Sequence, residues 1–221
     1  MSILDVIFPP RCAFCGKLLE TSGDVCGDCE KILPLREPEA VLRTVGAAEY
    51  PCAVAMYYAR PVSDGIKALK FGKRSWRAKP FARYVARAAE EAFCGQFDVV
   101  TYVPVSWQRN FSRGFDQARL LAEETAGRWG VRAEPTLRKI RNNRAQSSIL
   151  SPAARWENVR DVYIVPHPRR VRGGRLLLID DVCTTGSTIS AAADALMAAG
   201  ASRVVCAALA GGHRRGRSAA K

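Results

Sequence analysis

Leu176 to Thr188 read LLLIDDVCTTGST, and this stretch decides the fold. Leu176 to Ile179 form an unbroken apolar run, which suits a central parallel strand covered on both faces. Asp180 and Asp181 follow at the carboxyl edge, where an open α/β sheet binds its ligands. Adjacent carboxylates there accept hydrogen bonds from vicinal hydroxyls, as on a ribose, or hold a divalent cation. Thr184, Thr185, Gly186, Ser187 and Thr188 come next, with no lysine among them. Their backbone N–H groups and hydroxyls, at the start of a helix, can hold a phosphate without a formal positive charge.

A helix is predicted directly afterwards. Ile189, Ala192, Ala193, Leu196 and Met197 recur at helical spacing, and Gly200 stands where a left-handed residue ends a helix. Val204 to Leu209 then supply the next strand, completing a βαβ unit. An ordinary strand ending in an N-cap would account for one acid and one threonine, and would leave the second acid and the TTGST run without a cause. The loop is not a nucleotide P-loop, since the Gly-Lys-Ser/Thr element is missing. These residues resemble the ribose-phosphate signature of the type I phosphoribosyltransferases. The resemblance implies that Asp180 and Asp181 contact the ribose hydroxyls of phosphoribosyl pyrophosphate, and that the loop of Cys183 to Thr188 holds its 5′-phosphate. Cys183 lies among the N–H dipoles of that loop, although a packing role suits it better.

At 221 residues the chain can hold one sizeable α/β domain and a small appendage. Hydrophobic residues make up 48% and charged residues 25%, which excludes a disordered chain. The net charge of +13 favours anionic partners: phosphorylated metabolites, nucleic acid, or both. No apolar run approaches the ~18 residues a membrane span needs. The opening MSILDVIFPPRC lacks a basic segment followed by an apolar core, so no secretory signal is visible and a cytoplasmic location is expected.

Eight cysteines in such a chain point to metal or free thiols before disulfides. Cys12-x-x-Cys15 and Cys26-x-x-Cys29 are two knuckles ten residues apart, enough for one closed tetrahedral zinc site. So short a segment has too little core to fold alone, and the metal would stabilise it. Two disulfides or a redox pair is the rival reading. Such a closed site holds a fold, or presents a surface to nucleic acid or a partner, more readily than it does chemistry. Cys52, Cys94 and Cys206 fall in apolar settings and read as small core residues.

Pro34 to Pro51 reads as a linker. Ala53 to Tyr58 reads as a strand, and Asp64 to Phe71 as a short helix with Ile66 and Leu69 inward and Lys67 and Lys70 exposed. From Lys67 to Lys79 there are six cations and no acid, interleaved with Phe71 and Trp76. That composition suits a phosphate backbone with stacked bases, or a solvated face with both aromatics tucked beneath it, which is the expectation adopted. Phe81 to Ala92 mark an amphipathic helix ending near Gly95. Asp98 to Val103 form a strand, and Ala118, Leu121, Ala122, Thr125 and Trp129 line a further helix. Arg138, Lys139, Arg141 and Arg144 make a basic, aperiodic segment that reads as a mobile loop. Asp161 to Val165 read as a strand, His167 and His213 as surface residues, and Gly211 to Lys221 as a frayed basic tail.

Val103-Pro-Val-Ser106 followed by Arg113-Gly-Phe-Asp-Gln-Ala118, LRKIRNNRAQSSI at 137 to 149 followed by Arg155 and Asn158, the acid-threonine loop and the N-terminal double knuckle occur in this order. Over nearly the whole chain this is similar to the ComF family of bacterial competence-related proteins. The family commonly has Asn where this chain has Asp116, and a threonine where it has Arg144 and Ala145. Asp116 would add negative charge near an anion site and is given no binding role.

The resemblance implies a twisted, mostly parallel α/β sheet flanked by helices, of the type I phosphoribosyltransferase kind. The expected domains are a zinc ribbon and linker over 1–45, the phosphoribosyltransferase-like domain over 46–213, and a basic tail. It also implies phosphoribosyl pyrophosphate bound with Mg2+, and a pyrophosphate loop at Val105 and Ser106. Arg109 and Arg113 suit a diphosphate, because a guanidinium offers paired donors. The 138–144 loop with Arg141 is the candidate lid, with solvated or nucleic-acid contact as the alternative. Asp180, Asp181, Arg113 and Arg141 are thus the candidate catalytic residues. Three functions are weighed: a glycosyltransferase of unknown acceptor in DNA uptake, a non-catalytic ligand-responsive single-stranded DNA-binding protein that meets the uptake machinery, and a nucleobase salvage transferase. No base-recognition hood is visible for the last.

Overall fold

A computed structural model describes residues 9–20, 23–36, 42–46, 48–72, 74–106, 114–141 and 162–212. The strand read first from the sequence lies inside the sheet, between two parallel neighbours. In chain order the strands are β1 (Leu42–Val45), β2 (Tyr50–Met56), β3 (Val99–Tyr102), β4 (Arg138–Lys139), β5 (Tyr163–Ile164), β6 (Arg175–Val182) and β7 (Arg203–Ala210). The helices are α1 (Gly27–Ile32), α2 (Val62–Phe71), α3 (Ala78–Phe93), α4 (Gln117–Gly127) and α5 (Ser187–Ala198). The main sheet has the order β1-β2-β7-β6-β3. All its pairings are parallel except β1 with β2.

Because strand side chains alternate faces, the continuous apolar strands feed two cores. Leu177, Ile179, Val205, Ala207 and Leu209 face α3 and α4, whose Phe81, Val85, Ala89, Leu121 and Ala122 complete one core. Leu176, Leu178, Val204, Cys206 and Ala208 face α5 through Ile189, Ala192, Ala193 and Leu196. The helix stop expected at Gly200 is present: its φ is +97°. Ala201 N–H donates to Leu196 O at 3.1 Å, and Gly200 N–H to Met197 O at 2.9 Å, the paired bonds of a Schellman end.

Two expectations change. Leu42–Val45, within the span read as linker, is an edge strand paired with β2. Val45 is buried, and the Tyr50 hydroxyl donates to Asp194 of α5 at 2.6 Å, so the hairpin packs on α5. Arg138 and Lys139, read as loop, pair antiparallel with Ile164 and Tyr163 in a small ribbon. Arg144 of that basic segment, and His213, lie outside the described residues. Among the described residues no helix is long and apolar enough to cross a membrane.

The ribbon's four thiol sulfurs, of Cys12, Cys15, Cys26 and Cys29, all lie within 4.8 Å of one another. Cys15 and Cys26 sulfurs are 3.7 Å apart, against the roughly 3.8 Å that a tetrahedron with Zn–S bonds of about 2.3 Å requires. Gly16, at φ +81°, closes the first knuckle by donating to Cys12 O at 2.9 Å. Burial works against a charged Cys12, but backbone N–H groups of Cys26, Cys15 and Phe14 outweigh it and bring the thiol down to about 6. Burial and the neighbouring thiols instead push Cys29 well up, so a cation is needed to hold all four as thiolates.

The ribbon is docked on the larger domain. Phe14 is 1% exposed, with its ring 5.2 Å from that of Phe81. A side chain at Gly65 of α2 would stand 3.1 Å from Ala13 O, so that glycine admits the knuckle. Arg77 is also 1% exposed and donates to the carbonyls of Ala13 and Phe14. Burial and the nearby Arg74 depress its pKa, while the charges of Cys12 and Cys15 support it. Arg77→Met should therefore cost about 2–4 kcal/mol, since two buried carbonyls lose their donor. Urea unfolding measures the loss, and zinc should pass faster to a chromogenic chelator.

Candidate functional site

A cavity of about 800 Å³ opens where β6, β3 and β7 end at their carboxyl edge, and the acid pair forms its floor. Asp180 and Asp181 are adjacent on one strand, so they leave it toward opposite faces, and the cavity reaches both. They are 8% and 7% exposed. Asp180 Oδ1 accepts the Asp181 N–H at 2.8 Å, and Asp181 Oδ2 lies 2.6 Å from Lys70 Nζ. Burial, then the charge of Asp181, raise the Asp180 pKa well above the ordinary carboxylate range, with Lys70 opposing. Burial disfavours the Lys70 charge, yet Asp181 and then Asp180 outweigh it and the ammonium is held more firmly than usual.

The wall beside the acids is the loop of Cys183 to Thr188 with Ile189. Gly186 turns it at φ +84° and is the N-cap of α5, with no side-chain cap, so the start of the helix meets the cavity through its backbone. Thr185 Oγ1 and Ser187 Oγ are 2.8 Å apart, and Ser190 N–H donates to Gly186 O at 2.8 Å. Cys183, 2% exposed, donates its N–H to Ala210 O at 2.8 Å, which ties the loop to β7.

Across from this loop stand Val103, Pro104 and Val105. Asp116 fixes that segment: its Oδ2 accepts the Val105 N–H at 2.8 Å. Its Oδ1 accepts the Arg119 N–H at 3.1 Å, capping α4. The acid left without a role in the sequence thus joins the Val103–Ser106 turn to a helix. Burial raises its pKa, and the N–H groups of Val105, Arg119 and Ala118 oppose the rise. An Asn would offer one acceptor oxygen where this site uses two.

The remaining walls hold what sequence reasoning missed. Lys67, Lys70 and Phe71 come from α2, Tyr58 from the segment before it, and Lys139 and Tyr163 from the β4-β5 ribbon. Lys70 is not the exposed cation expected: its side chain is 24% exposed and paired. Its place four residues after Ile66, on the inward stripe, was the available signal. Nor are the two aromatics tucked away, since Phe71 is 70% and Trp76 41% exposed.

Of the candidate residues, Asp180, Asp181, Val105 and Cys183 to Thr188 meet at this cavity. Ser106 is 5% exposed and does not line it; its hydroxyl has no hydrogen-bond partner among the described residues. Arg141 is exposed and outside the lining, where Lys139 of the same segment takes the place. Arg109 and Arg113 lie outside the described residues, as do Arg144, Gln146, Arg155 and Asn158.

Residues 3–40 match the double zinc ribbon domain and residues 135–220 the phosphoribosyl transferase domain. The two matches make the chain similar to a zinc ribbon followed by a phosphoribosyl transferase domain. The four cysteines of the first segment suffice for one tetrahedral metal and support structural zinc. The chain is 29% identical over 208 residues to a protein of Escherichia coli K12 named DNA utilization protein YhgH, covering 87% of this chain and 86% of that one. It is 25% identical over 188 residues to Competence protein F of Haemophilus influenzae, covering 82% and 76%. These relatives bear out the resemblance to the ComF family. A solved glutamine phosphoribosylpyrophosphate amidotransferase from B. subtilis, complexed with ADP and GMP, aligns at 25% identity and a TM-score of 0.40. That likeness covers 60% of this chain, and the chain spans about a quarter, 26%, of the amidotransferase.

The loop leaves little room for substitution at Gly186. An added Cβ would stand 2.4 Å from Val45 Cβ, on a backbone already at positive φ. Gly186→Ala is expected to destabilise the fold by about 2–4 kcal/mol, from left-handed strain plus overpacking, seen as a lower thermal midpoint.

Proposed function

We propose that the cavity binds phosphoribosyl pyrophosphate with Mg2+, and that the chain transfers the phosphoribosyl group to an acceptor in DNA handling. The observation that carries this is the meeting of the acid pair and the TTGST loop in one cavity. Each part suits a piece of the ligand. The loop's backbone and hydroxyls accommodate a terminal phosphate. Asp180 and Asp181 accept from vicinal sugar hydroxyls. Lys67 and Lys139, beside the Val103 to Val105 segment, offer charge to a diphosphate.

In this scheme the bond from the anomeric carbon to the diphosphate oxygen breaks as an acceptor lone pair forms the new one, through an oxocarbenium-like state. Pyrophosphate leaves with the bonding pair. Mg2+ would supply charge neutralisation at the diphosphate, and Asp180 and Asp181, the two carboxylates of the described lining, would be the residues to hold it. Lys67 and Lys139 would stabilise charge on the leaving group, and Asp180 and Asp181 would orient the sugar.

A second reading is a ligand-responsive single-stranded DNA-binding protein without turnover. Exposed Phe71 and Trp76 amid cations favour it, as do the net charge of +13 and the names of the relatives. The two readings part on pyrophosphate release. Zinc-loaded protein is tested with nucleobases, amines and single-stranded oligonucleotides as acceptors. Release that falls by about a hundredfold or more in Asp180→Asn/Asp181→Asn supports transfer. Oligonucleotide binding that responds to the ligand, without release, supports the second.

The buried acid also predicts a stability trade. Since its folded pKa is raised, the native chain binds the Asp180 proton more tightly than the unfolded chain, and stability from this group falls as pH rises. Asp180→Asn should therefore melt higher than wild type in mildly alkaline buffer. The gain should shrink with falling pH and vanish by about pH 4, the ordinary carboxylate range, while ligand binding is lost throughout.

A further inference from the structure

α2 brings to the cavity a residue that neither the acid-threonine loop nor the Val103–Ser106 turn accounts for. Lys70 is not a surface cation swung inward. Its helix is anchored by Ile66 and Leu69, both fully buried, and by Gly65 against the Ala13 carbonyl of the ribbon. From that platform the ammonium reaches Asp181 Oδ2 at 2.6 Å, with side chains 24% and 10% exposed. Both partners line the cavity, so the pair is formed inside the site.

The acid pair needs such a partner. Two adjacent carboxylates at 8% and 7% exposure repel each other and have lost most of their water. Of the groups around them, Asp116 ahead of α4 is another acid, and Cys183 and Tyr58 carry no positive charge. Lys67 and Lys139 stand in the walls. Among the described residues Lys70 alone is in ion-pair contact with either acid. The ammonium approaches one oxygen, Oδ2, as an ion pair outside hydrogen-bond angles, and leaves Oδ1 for another donor.

Resting on the phosphoribosyl reading of the cavity, we infer that Lys70 is a positioning residue for the sugar: it holds Asp181 through one carboxylate oxygen so that the other is presented to a ribose hydroxyl. The contribution belongs to the sugar and not to the diphosphate. It is therefore present for ribose 5-phosphate, which has no diphosphate, and it does not require Mg2+.

The test is calorimetric titration of ribose 5-phosphate and of phosphoribosyl pyrophosphate into the full zinc-loaded chain, each with and without Mg2+. It compares wild type with Lys70→Met, Lys70→Arg, Asp181→Asn and the double variant Lys70→Met/Asp181→Asn. Lys70→Met should weaken ribose 5-phosphate about tenfold whether or not Mg2+ is present, and Lys70→Arg should recover most of it. In the Asp181→Asn background, Lys70→Met should cost nothing further, because the residue acts through that carboxylate. Equal or tighter binding by Lys70→Met overturns the inference. So does a loss that persists in the Asp181→Asn background, or one that appears only with the diphosphate. A wild-type chain that binds neither compound overturns the reading of the cavity itself, and the inference falls with it.

Discussion

Two carboxylates placed side by side at the end of a fully covered strand are the constraint the rest of the molecule answers. β6 is buried because it lies inside a parallel sheet with helices on both faces. Any acid on it is therefore removed from water, at a cost that must be met by a partner or by holding a proton. The protein uses both devices: Lys70 is set against Asp181, and Asp180 has a raised affinity for its proton. A fold selected only for stability would place Asn or an apolar residue there. Two acids in so enclosed a place single it out as the candidate site.

The surrounding architecture can be followed from that point. Lys70 must arrive at a fixed height, so α2 is pinned from behind by the ribbon and from beside by the core. The loop after the acids must turn sharply, so a glycine sits at positive φ with Val45 of the hairpin against it. The opposing turn must hold its backbone steady, and Asp116 does so by accepting two N–H groups at once. The cavity is framed by parts far apart in sequence, each held by a contact made elsewhere.

What could be read from the sequence divides along the range of the forces involved. The βαβ unit from Leu176 to Leu209 was legible, down to the Gly200 stop, because apolar runs, helical spacing and a left-handed glycine are local signals. The cysteine knuckles were legible for the same reason. β1 was not, since Leu-Arg-Thr-Val has no pattern of its own and becomes a strand only by pairing with β2. β4 was hidden likewise, because its partner Tyr163–Ile164, itself read as a strand, is more than twenty residues on. Lys70 was misread because a lysine on a short helix is ordinarily solvated, and only the fold reveals that Asp181 waits opposite. Arg77 was counted among surface cations, although it is buried under the knuckle.

The Arg77 contact also bears on how the chain comes to be built. Its carbonyl partners lie 63 and 64 residues earlier, so the knuckles leave the ribosome well before the helix they rest on. During that interval the first knuckle has no Phe81 to cover Phe14 and no guanidinium for its carbonyls. Only the captured metal can keep the nascent segment in shape until its seat is synthesised. Zinc bound at that stage would serve as a scaffold during translation before it is a structural element of the finished protein.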